Sequence, residues 1–322
     1  MTILVTGGAG FVGSHFVWAA RESGRQIVVL DDLSGGPAPK LPPDVQLIEG
    51  DVGDRAAVRH ALIEHRVTAI VHFAGKIQVG ESVQKPEIYF DVNLIRGLAL
   101  LEAARDAGVR HFIFSSTAAV YGIPTEMPIS EKAPCAPVNP YGATKLALEH
   151  ALKAYEDAHG FRWAALRYFN AAGARSDGTL RESHDPETHL IPLVIDAGLG
   201  RRGPVTVFGD DYPTPDGTCV RDYVHVSDLA SAHLAALQQL EAGRSVGPAN
   251  LGTGRGFSVR QVIDAAAEVL KRPIPHAIGP RRAGDPAVLV ADPSRAREVL
   301  GWSPARTDLT VMIEDAARAR IG

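Results

Sequence analysis

Short apolar runs alternate with helical stretches along the first half of the chain. The runs that predict strands lie at residues 3–5, 27–30, 45–51, 69–75 and 111–117. The stretches that predict helices lie at residues 14–22, 55–64 and 86–107. This alternation is typical of an α/β fold, in which a doubly wound parallel sheet carries helices on both faces. Ligands of such sheets bind at the carboxyl edge of the strands, so we expect a site there.

The composition and the hydrophobic pattern of the sequence change beyond about residue 170. Gly, Pro and charged residues become denser between residues 171 and 217, and the alternation becomes irregular. Residues 226–240 have a helical pattern, and residues 247–252 have the pattern of a strand returning to the first sheet. We therefore expect a first domain of residues 1–170, with a returning segment near 225–252, and a smaller mixed α/β domain of residues 171–322.

A glycine-rich turn follows the first strand directly. Its glycines, Gly7, Gly10 and Gly13, precede a helix, and the next strand ends in Asp31 and Asp32. Backbone N–H groups at such a turn and the helix N-terminus can hold a pyrophosphate. A carboxylate at the second strand end can accept hydrogen bonds from ribose hydroxyls and would repel a 2′-phosphate. The pattern predicts a Rossmann-type site for NAD rather than NADP.

Composition excludes several other classes of protein. The chain has 322 residues, 45% of them hydrophobic, and its net charge of -4 gives no basic surface for nucleic acid. No apolar run is long enough to cross a membrane, and the first strand begins too early for a signal peptide, so a cytoplasmic setting is expected. Two cysteines make no disulfide framework. The twelve histidines show no His-x-x-x-His spacing, so no metal is expected.

A phenol and an ammonium lie four residues apart in Tyr141 and Lys145. Asn139 is a favourable N-cap and Pro140 suits the first helical position, so a helix should begin here and bring both side chains onto one face. A close cation favours the phenolate form of a tyrosine. Alone the spacing is more often a surface pair, so its interpretation depends on the rest of the chain.

Several blocks together resemble the extended short-chain dehydrogenase/reductase family. They are residues 6–13, Asp31, residues 115–117, Tyr141 with Lys145, residues 167–170 and residues 221–225. Further blocks at residues 73–75, 79–83, 208–214 and 216–218 are similar to those of the UDP-glucose (UDP-galactose) 4-epimerases. The similarity extends from residue 2 to about residue 303.

The resemblance implies a reaction. Tyr141, as a phenolate, would take the proton of the sugar 4-hydroxyl while C4 gives hydride to NAD. Lys145 would lower the pKa of the phenol and bind the nicotinamide ribose, and the Thr117 hydroxyl would ease proton transfer. The 4-keto sugar would turn over and take hydride back on its opposite face, interconverting UDP-galactose and UDP-glucose.

The resemblance also implies two sets of binding residues. The NAD set is Gly7, Gly10, Phe11, Val12, Gly13, Asp31, Asp32, Asp51, Val52, Phe73, Ala74, Gly75, Asn93, Ser115, Tyr141, Lys145 and Tyr168. The UDP-sugar set is Thr117, Asn170, His189, Leu190, Phe208, Arg221, Tyr223, Arg282, Asp285 and Leu289. Arg221 and Arg282 are expected at the diphosphate and ribose, because guanidinium groups bind phosphate in a bidentate way.

The chain departs from the family pattern at four places. Lys76 precedes Ile77, whereas the well-known bacterial enzymes have an apolar residue followed by the lysine. His189 stands where asparagine is usual, and Thr117 replaces a serine but keeps the hydroxyl. Leu289 lies where the family limits room beside the sugar C2 substituent, and its intermediate size favours plain hexoses.

Three alternative functions remain at this point. A sugar-nucleotide dehydratase would need an acidic pair after Thr117, where Ala118 and Ala119 stand. A 4-epimerase of another UDP sugar, such as UDP-N-acetylglucosamine, UDP-glucuronate or UDP-arabinose, would keep the same chemistry. A non-catalytic NAD-sensing protein would lose the Tyr/Lys/Thr set. The family usually pairs as homodimers through helices near residues 95–105 and 145–155, so a homodimer is expected.

Overall fold

The computed structural model describes residues 1–36, 41–282 and 284–321. Its strands, in chain order, are β1 (Thr2–Thr6), β2 (Gln26–Asp31), β3 (Gln46–Glu49), β4 (Val67–His72), β5 (His111–Thr117), β6 (Arg162–Tyr168), β7 (Asn170–Ala172), β8 (Val205–Phe208), β9 (Val220–His225), β10 (Gly247–Leu251), β11 (Gly256–Ser258), β12 (His276–Gly279) and β13 (Val288–Leu289). Its α-helices are α1 (Phe11–Glu22), α2 (Arg55–Glu64), α3 (Val79–Gln84), α4 (Pro86–Tyr89), α5 (Arg96–Asp106), α6 (Pro140–His159), α7 (Leu190–Gly198), α8 (Val226–Glu241), α9 (Val259–Leu270), α10 (Ser294–Leu300) and α11 (Leu309–Ile321).

Seven parallel strands form the large sheet, in the order β10-β6-β5-β4-β1-β2-β3. The chain starts in the middle of the sheet, runs to one edge through β3, and then crosses back to β4 beside β1. The strand order therefore reverses between β1 and β4, which makes their carboxyl ends the switch point where ligands bind in such sheets. The predicted α/β doubly wound sheet is confirmed, including the return of β10 beside β6.

Alternate side chains of β1 enter cores on opposite faces of the sheet. Ile3 and Val5 pack in one core with residues of α1 and α8, and Leu4 packs in another with residues of α2, α5 and α6. All three are completely buried. A parallel strand covered by helices on both faces has to be apolar at every position, which explains the continuous apolar run in the sequence.

The predicted helix over residues 86–107 is correct in position but not uniform. A π-helical segment, Phe90–Ile95, separates α4 from α5. Such local widening of a helix is frequent near functional sites. The predicted strands at residues 45–51 and 69–75 are also shorter than expected, ending at Glu49 and His72, so the residues that follow each strand form loops at the carboxyl edge.

Short strands and helices after β6 form a second, mixed region. β11, β9 and β13 form a small sheet that β7 joins by pairing with β9, and β8 pairs with β12. A third core lies among α7, α9 and α11. None of the helices in the described part of the chain is long and apolar enough to cross a membrane.

A buried ion pair fixes α6 on the sheet. Arg167 of β6 donates from Nε and Nη2 to Glu149 of α6, and both side chains are at most 4% exposed. Glu149 also accepts a hydrogen bond of 2.5 Å from Ser116 of β5, and Arg167 donates to the Tyr121 hydroxyl at 2.9 Å. Asn250 of β10 accepts the Tyr121 hydroxyl at 2.7 Å. The network joins one helix to three neighbouring strands.

Substituting Glu149→Gln should destabilise the protein by about 3–5 kcal/mol, because Arg167 would keep a buried charge without its counter-charge. Urea unfolding followed by circular dichroism would measure the loss. Lys153→Gln is the matched control, since Lys153 forms exposed ion pairs on the same helix. An equal, small change in both variants would contradict the importance of the buried pair.

Candidate functional site

One large cavity of about 1840 Å³ lies along the carboxyl edge of the large sheet and extends to the second region. The residues expected at the cofactor that line it are Gly7, Gly10, Phe11, Val12, Gly13, Asp31, Asp32, Asp51, Val52, Phe73, Ala74, Gly75, Ser115, Tyr141, Lys145 and Tyr168. The residues expected at the UDP-sugar that line it are Thr117, Asn170, His189, Leu190, Phe208, Arg221, Tyr223, Arg282, Asp285 and Leu289. A single cavity thus joins both sets.

The glycine turn has no room for side chains. Gly7 has a φ of +69°, and a Cβ there would lie 2.4 Å from the Ala74 nitrogen. A Cβ on Gly13 would lie 2.2 Å from the Gly7 carbonyl oxygen. Helix α1 begins directly after this turn, and Gly10 at its N-cap supplies no side-chain hydrogen bond to the first-turn N–H groups. These N–H groups face the cavity without an intrahelical acceptor, as a pyrophosphate site requires.

Carboxylates mark the ends of β2 and β3. Asp31 accepts hydrogen bonds from the backbone nitrogens of Ala9 and Leu33, both at 2.9 Å, and so holds the glycine turn against the strand end. Burial raises the pKa of Asp31, and these N–H groups oppose the rise. Asp51 pairs with Arg96 at the start of α5. An acidic strand end beside a glycine turn fits the ribose of NAD and disfavours an additional phosphate there.

Tyr141 is positioned by the first turn of α6. The Asn139 side chain accepts a hydrogen bond from the Gly142 nitrogen at 2.8 Å, and Pro140 begins the helix, as predicted. The Tyr141 phenol lies near the Thr117 hydroxyl at the end of β5, close enough for this hydroxyl to affect the pKa of the phenol. Burial raises the pKa of Tyr141 and the Thr117 hydrogen bond opposes the rise. The tyrosine and threonine expected to exchange a proton are therefore neighbours on the wall of the cavity.

Lys145 lies one turn further along α6 and is 3% exposed. Its Nζ donates to the Ser115 carbonyl at 3.1 Å and lies 5.9 Å from the centre of the Tyr141 ring. Burial lowers the pKa of Lys145 to about 8. The Lys145 ammonium thus lies on the ring side of the phenol, and its hydrogen bond is to β5, the strand that ends in Thr117.

Asn93 stands apart from the other expected cofactor residues, because it is buried behind the cavity wall. It lies in the π-helical segment, accepts a hydrogen bond from the Lys76 nitrogen at 2.8 Å and donates to the Lys76 carbonyl at 3.0 Å. A Cβ on Gly75 would lie 2.9 Å from the Asn93 Oδ1. Asn93 therefore fixes the loop after β4 from behind. Lys76 and Ile77 themselves both line the cavity.

Cationic and aromatic groups line the opposite end of the cavity. Arg221 of β9 pairs with Asp285, and the Arg282 guanidinium lies 3.9 Å from the centre of the Phe208 ring. Asn170 donates from Nδ2 to the Asp222 carbonyl at 3.1 Å, which leaves its Oδ1 as a further polar group. Two guanidinium groups beside an aromatic ring suit a nucleoside diphosphate.

A cluster of four ionisable side chains was not expected from the sequence. It consists of Glu182, His184, Glu187 and His189, between β7 and the start of α7, and all four line the cavity. The two glutamates raise the pKa of His184 to about 9 and that of His189 to about 10, against the opposing effect of burial. The short run from residue 182 to 189 contains all four, but its two histidines are five residues apart and so lack the His-x-x-x-His spacing.

Fold and site together define a dinucleotide-dependent enzyme that acts on a nucleotide-linked substrate. The family model described as the NAD dependent epimerase/dehydratase family matches residues 3–252. The chain therefore belongs to this family, which confirms NAD as the predicted cofactor.

Within this family, the chain is similar to individual UDP-glucose 4-epimerases. The chain is 48% identical over 316 residues to a UDP-glucose 4-epimerase of Corynebacterium glutamicum, covering 98% of this chain and 94% of the relative. It is 50% identical over 315 residues to a UDP-glucose 4-epimerase of Rhizobium meliloti, covering 98% and 95%. The crystal structure of a UDP-glucose 4-epimerase from Brucella ovis in complex with NAD is similar with a TM-score of 0.96 and 45% identity, covering 98% of this chain and 97% of that one. The predicted resemblance is thus confirmed.

Proposed function

We propose that this protein is a UDP-glucose 4-epimerase, which interconverts UDP-galactose and UDP-glucose with NAD bound in the same cavity. The observation that carries the proposal is the grouping of Tyr141, Thr117 and Lys145 on the wall of one cavity that also contains a dinucleotide turn and two arginines. The two relatives described above are UDP-glucose 4-epimerases of similar length, and each aligns with 98% of this chain.

The chain supplies proton transfer and positioning for this reaction. Bound NAD would supply the acceptor and donor of hydride at the sugar C4. Tyr141 takes the proton from the 4-hydroxyl and returns it after the sugar has turned, and Thr117 hydrogen-bonds at the same oxygen. Lys145 places a positive charge next to the phenol. Its hydrogen bond to the Ser115 carbonyl also links α6 to β5. The proton relay must work in both directions, because the reaction has no net oxidation.

The second end of the cavity retains the intermediate. Arg221 and Arg282 bind the diphosphate and ribose, while Leu190 and Tyr223 contribute apolar surface to the nucleotide pocket. Anchoring the nucleotide lets the 4-keto sugar rotate about its diphosphate linkage without leaving.

Residues 1–170, with the segment near 225–252, form the cofactor domain, and residues 171–322 form the substrate domain. The active molecule is a homodimer.

A dehydratase fits the site less well than an epimerase. The residues after Thr117 are Ala118 and Ala119, which form a 3₁₀ turn and carry no acid or base to expel water from a 4-keto sugar. A 4-epimerase of a different UDP sugar is the second candidate, because Leu289 lines the cavity and is intermediate in size.

Replacing Tyr141→Phe should lower kcat for UDP-galactose conversion by about 10²–10⁴-fold, because the proton acceptor is lost. The measurement is product formation by the purified protein without added cofactor, together with its content of bound NAD, which should stay unchanged. Tyr212→Phe makes the same chemical change outside the cavity and should keep wild-type activity. Full activity in Tyr141→Phe would contradict the assignment.

Replacing Thr117→Val should lower kcat and move the acidic limb of the pH–rate profile to higher pH. The reason is that the Thr117 hydrogen bond lowers the pKa of Tyr141, and the acceptor form of the phenol exists only above that pKa. Thr117→Ser keeps the hydroxyl and should keep the wild-type profile. Identical profiles in all three proteins would show that the hydrogen bond does not affect the proton acceptor.

Substrate choice is tested by assaying UDP-galactose, UDP-N-acetylgalactosamine and UDP-glucuronate side by side. We expect the highest kcat/KM for UDP-galactose, and Leu289→Ala should raise kcat/KM for the N-acetylated sugar by about tenfold or more by opening the pocket. Leu289→Met, which nearly conserves volume, is the control. Inactivity on UDP-galactose with activity on another of the three would overturn the substrate assignment while leaving the 4-epimerase chemistry intact.

A further inference from the structure

Four potential metal ligands converge in the loop that joins β7 to α7. The Nδ1 atom of His189 lies 2.8 Å from Glu182 Oε1 and 3.1 Å from Glu187 Oε1. The Nδ1 atom of His184 lies 3.4 Å from Glu182 Oε1 and 3.7 Å from Glu187 Oε1. Each of the four residues offers one donor atom, and these atoms all lie within 4.8 Å of one another.

These separations are close to the edge lengths of a tetrahedral metal site. Zinc binds imidazole nitrogen and carboxylate oxygen at about 2.0–2.2 Å, so two ligand atoms of a tetrahedral site are about 3.3–3.6 Å apart. Of the four nitrogen–oxygen separations, 3.4 Å lies within this range, 2.8 and 3.1 Å are shorter, and 3.7 Å is longer. Small shifts of the side chains would place a single ion at bonding distance from all four.

Ordinary hydrogen bonding leaves part of this cluster unsatisfied. Nine buried side-chain atoms in the described part of the chain have no hydrogen-bond partner, and two of them, the Nδ1 of His184 and the Oε2 of Glu187, belong to this cluster. Buried polar atoms without a partner are uncommon in native proteins and call for a ligand or an ion. The side chains of Glu182 and Glu187 are only 7% and 11% exposed, so the carboxylates are held inside the loop rather than spread in solvent.

A histidine–glutamate pair on the surface of the same protein differs from this cluster in burial. The Nε2 of His60 and the Oε2 of Glu64 lie 3.3 Å apart on consecutive turns of α2, but the two side chains are 79% and 58% exposed. That pair has two members and is exposed to solvent, whereas the loop cluster contains two imidazoles and two carboxylates whose ligand atoms all lie within 4.8 Å of one another. An isolated ion pair therefore does not account for the geometry of the loop.

We propose that Glu182, His184, Glu187 and His189 bind one divalent transition-metal ion of the zinc type. Mixed imidazole and carboxylate ligands suit zinc in a closed, structural site. The ion would be a structural element and takes no part in the epimerase chemistry, so the inference stands independently of the proposed function.

The position of the loop gives the ion a specific effect. A Cβ on Gly36 would lie 3.0 Å from the Ser183 carbonyl, so the loop packs against the segment that follows Asp31. His189 at its other end is the N-cap residue of α7. Binding through Nδ1 leaves Nε2 of His189 available to the cavity. An ion in the loop would therefore tie the cofactor end of the cavity to its nucleotide end.

The test uses the full chain, freed of metal by a chelator and then dialysed. Cobalt(II) is the spectroscopic probe, because tetrahedral coordination gives far stronger visible absorption than octahedral coordination, and zinc is the competitor. We expect saturation at one cobalt per chain with a tetrahedral spectrum, loss of that spectrum when zinc is added, and a rise in Tm with zinc. Absence of a saturable tetrahedral spectrum in the wild-type protein would overturn the proposal.

Two single variants assign the ligands. His184→Gln and Glu187→Gln should each weaken cobalt binding by at least about a hundredfold, since even residues outside the ligand set change metal affinity by about 10–100-fold. The control is His60→Gln, which should bind as the wild type does. His189 is left unchanged because it is expected to contact the substrate. Equal binding in all four proteins would show adventitious metal and would overturn the assignment, and circular dichroism of the metal-free variants shows whether they are folded.

Discussion

The buried ion pair between Arg167 and Glu149 determines where helix α6 lies on the sheet. It joins the helix to β6, and through Ser116 to β5, at a depth where an unpaired charge would be strongly unfavourable. Tyr141 and Lys145 are at the start of this helix, and Thr117 is at the end of β5. Their proximity depends on the relative position of two elements, which this network, the hydrogen bond from Lys145 to the Ser115 carbonyl and the surrounding core hold together.

Burial gives the site its electrostatic character. It raises the pKa of Tyr141 and lowers that of Lys145 to about 8, so the loss of water favours the neutral form of both groups. The Thr117 hydrogen bond is the local group that opposes the change at the phenol. In the cofactor-free protein the phenol is protonated at neutral pH, and proton transfer depends on positive charge placed close to it. The proton acceptor is thus coupled to the occupancy of the cavity.

Sequence reasoning succeeded where a local pattern determines the structure. The glycine turn, the acidic end of β2 and the cap at Asn139 each depend on residues close together in the chain, and the structure has all three. Prediction from the sequence was incomplete where segments distant in the chain meet. The position of Asn93 behind the cavity depends on a π-helical segment that no apolar periodicity signals. The cluster of Glu182, His184, Glu187 and His189 forms because an irregular loop folds back on itself, which a fixed helical spacing does not describe.

In the proposed reaction, hydrogen leaves C4 of the sugar and returns to the same carbon within one site. The most direct measurement follows UDP-galactose labelled with deuterium at C4 through conversion by the purified protein in ordinary water. Mass spectrometry and nuclear magnetic resonance of the product should show UDP-glucose that retains the deuterium at C4. Loss of the label to solvent would contradict the claim, because it would show removal of C4 hydrogen as a proton.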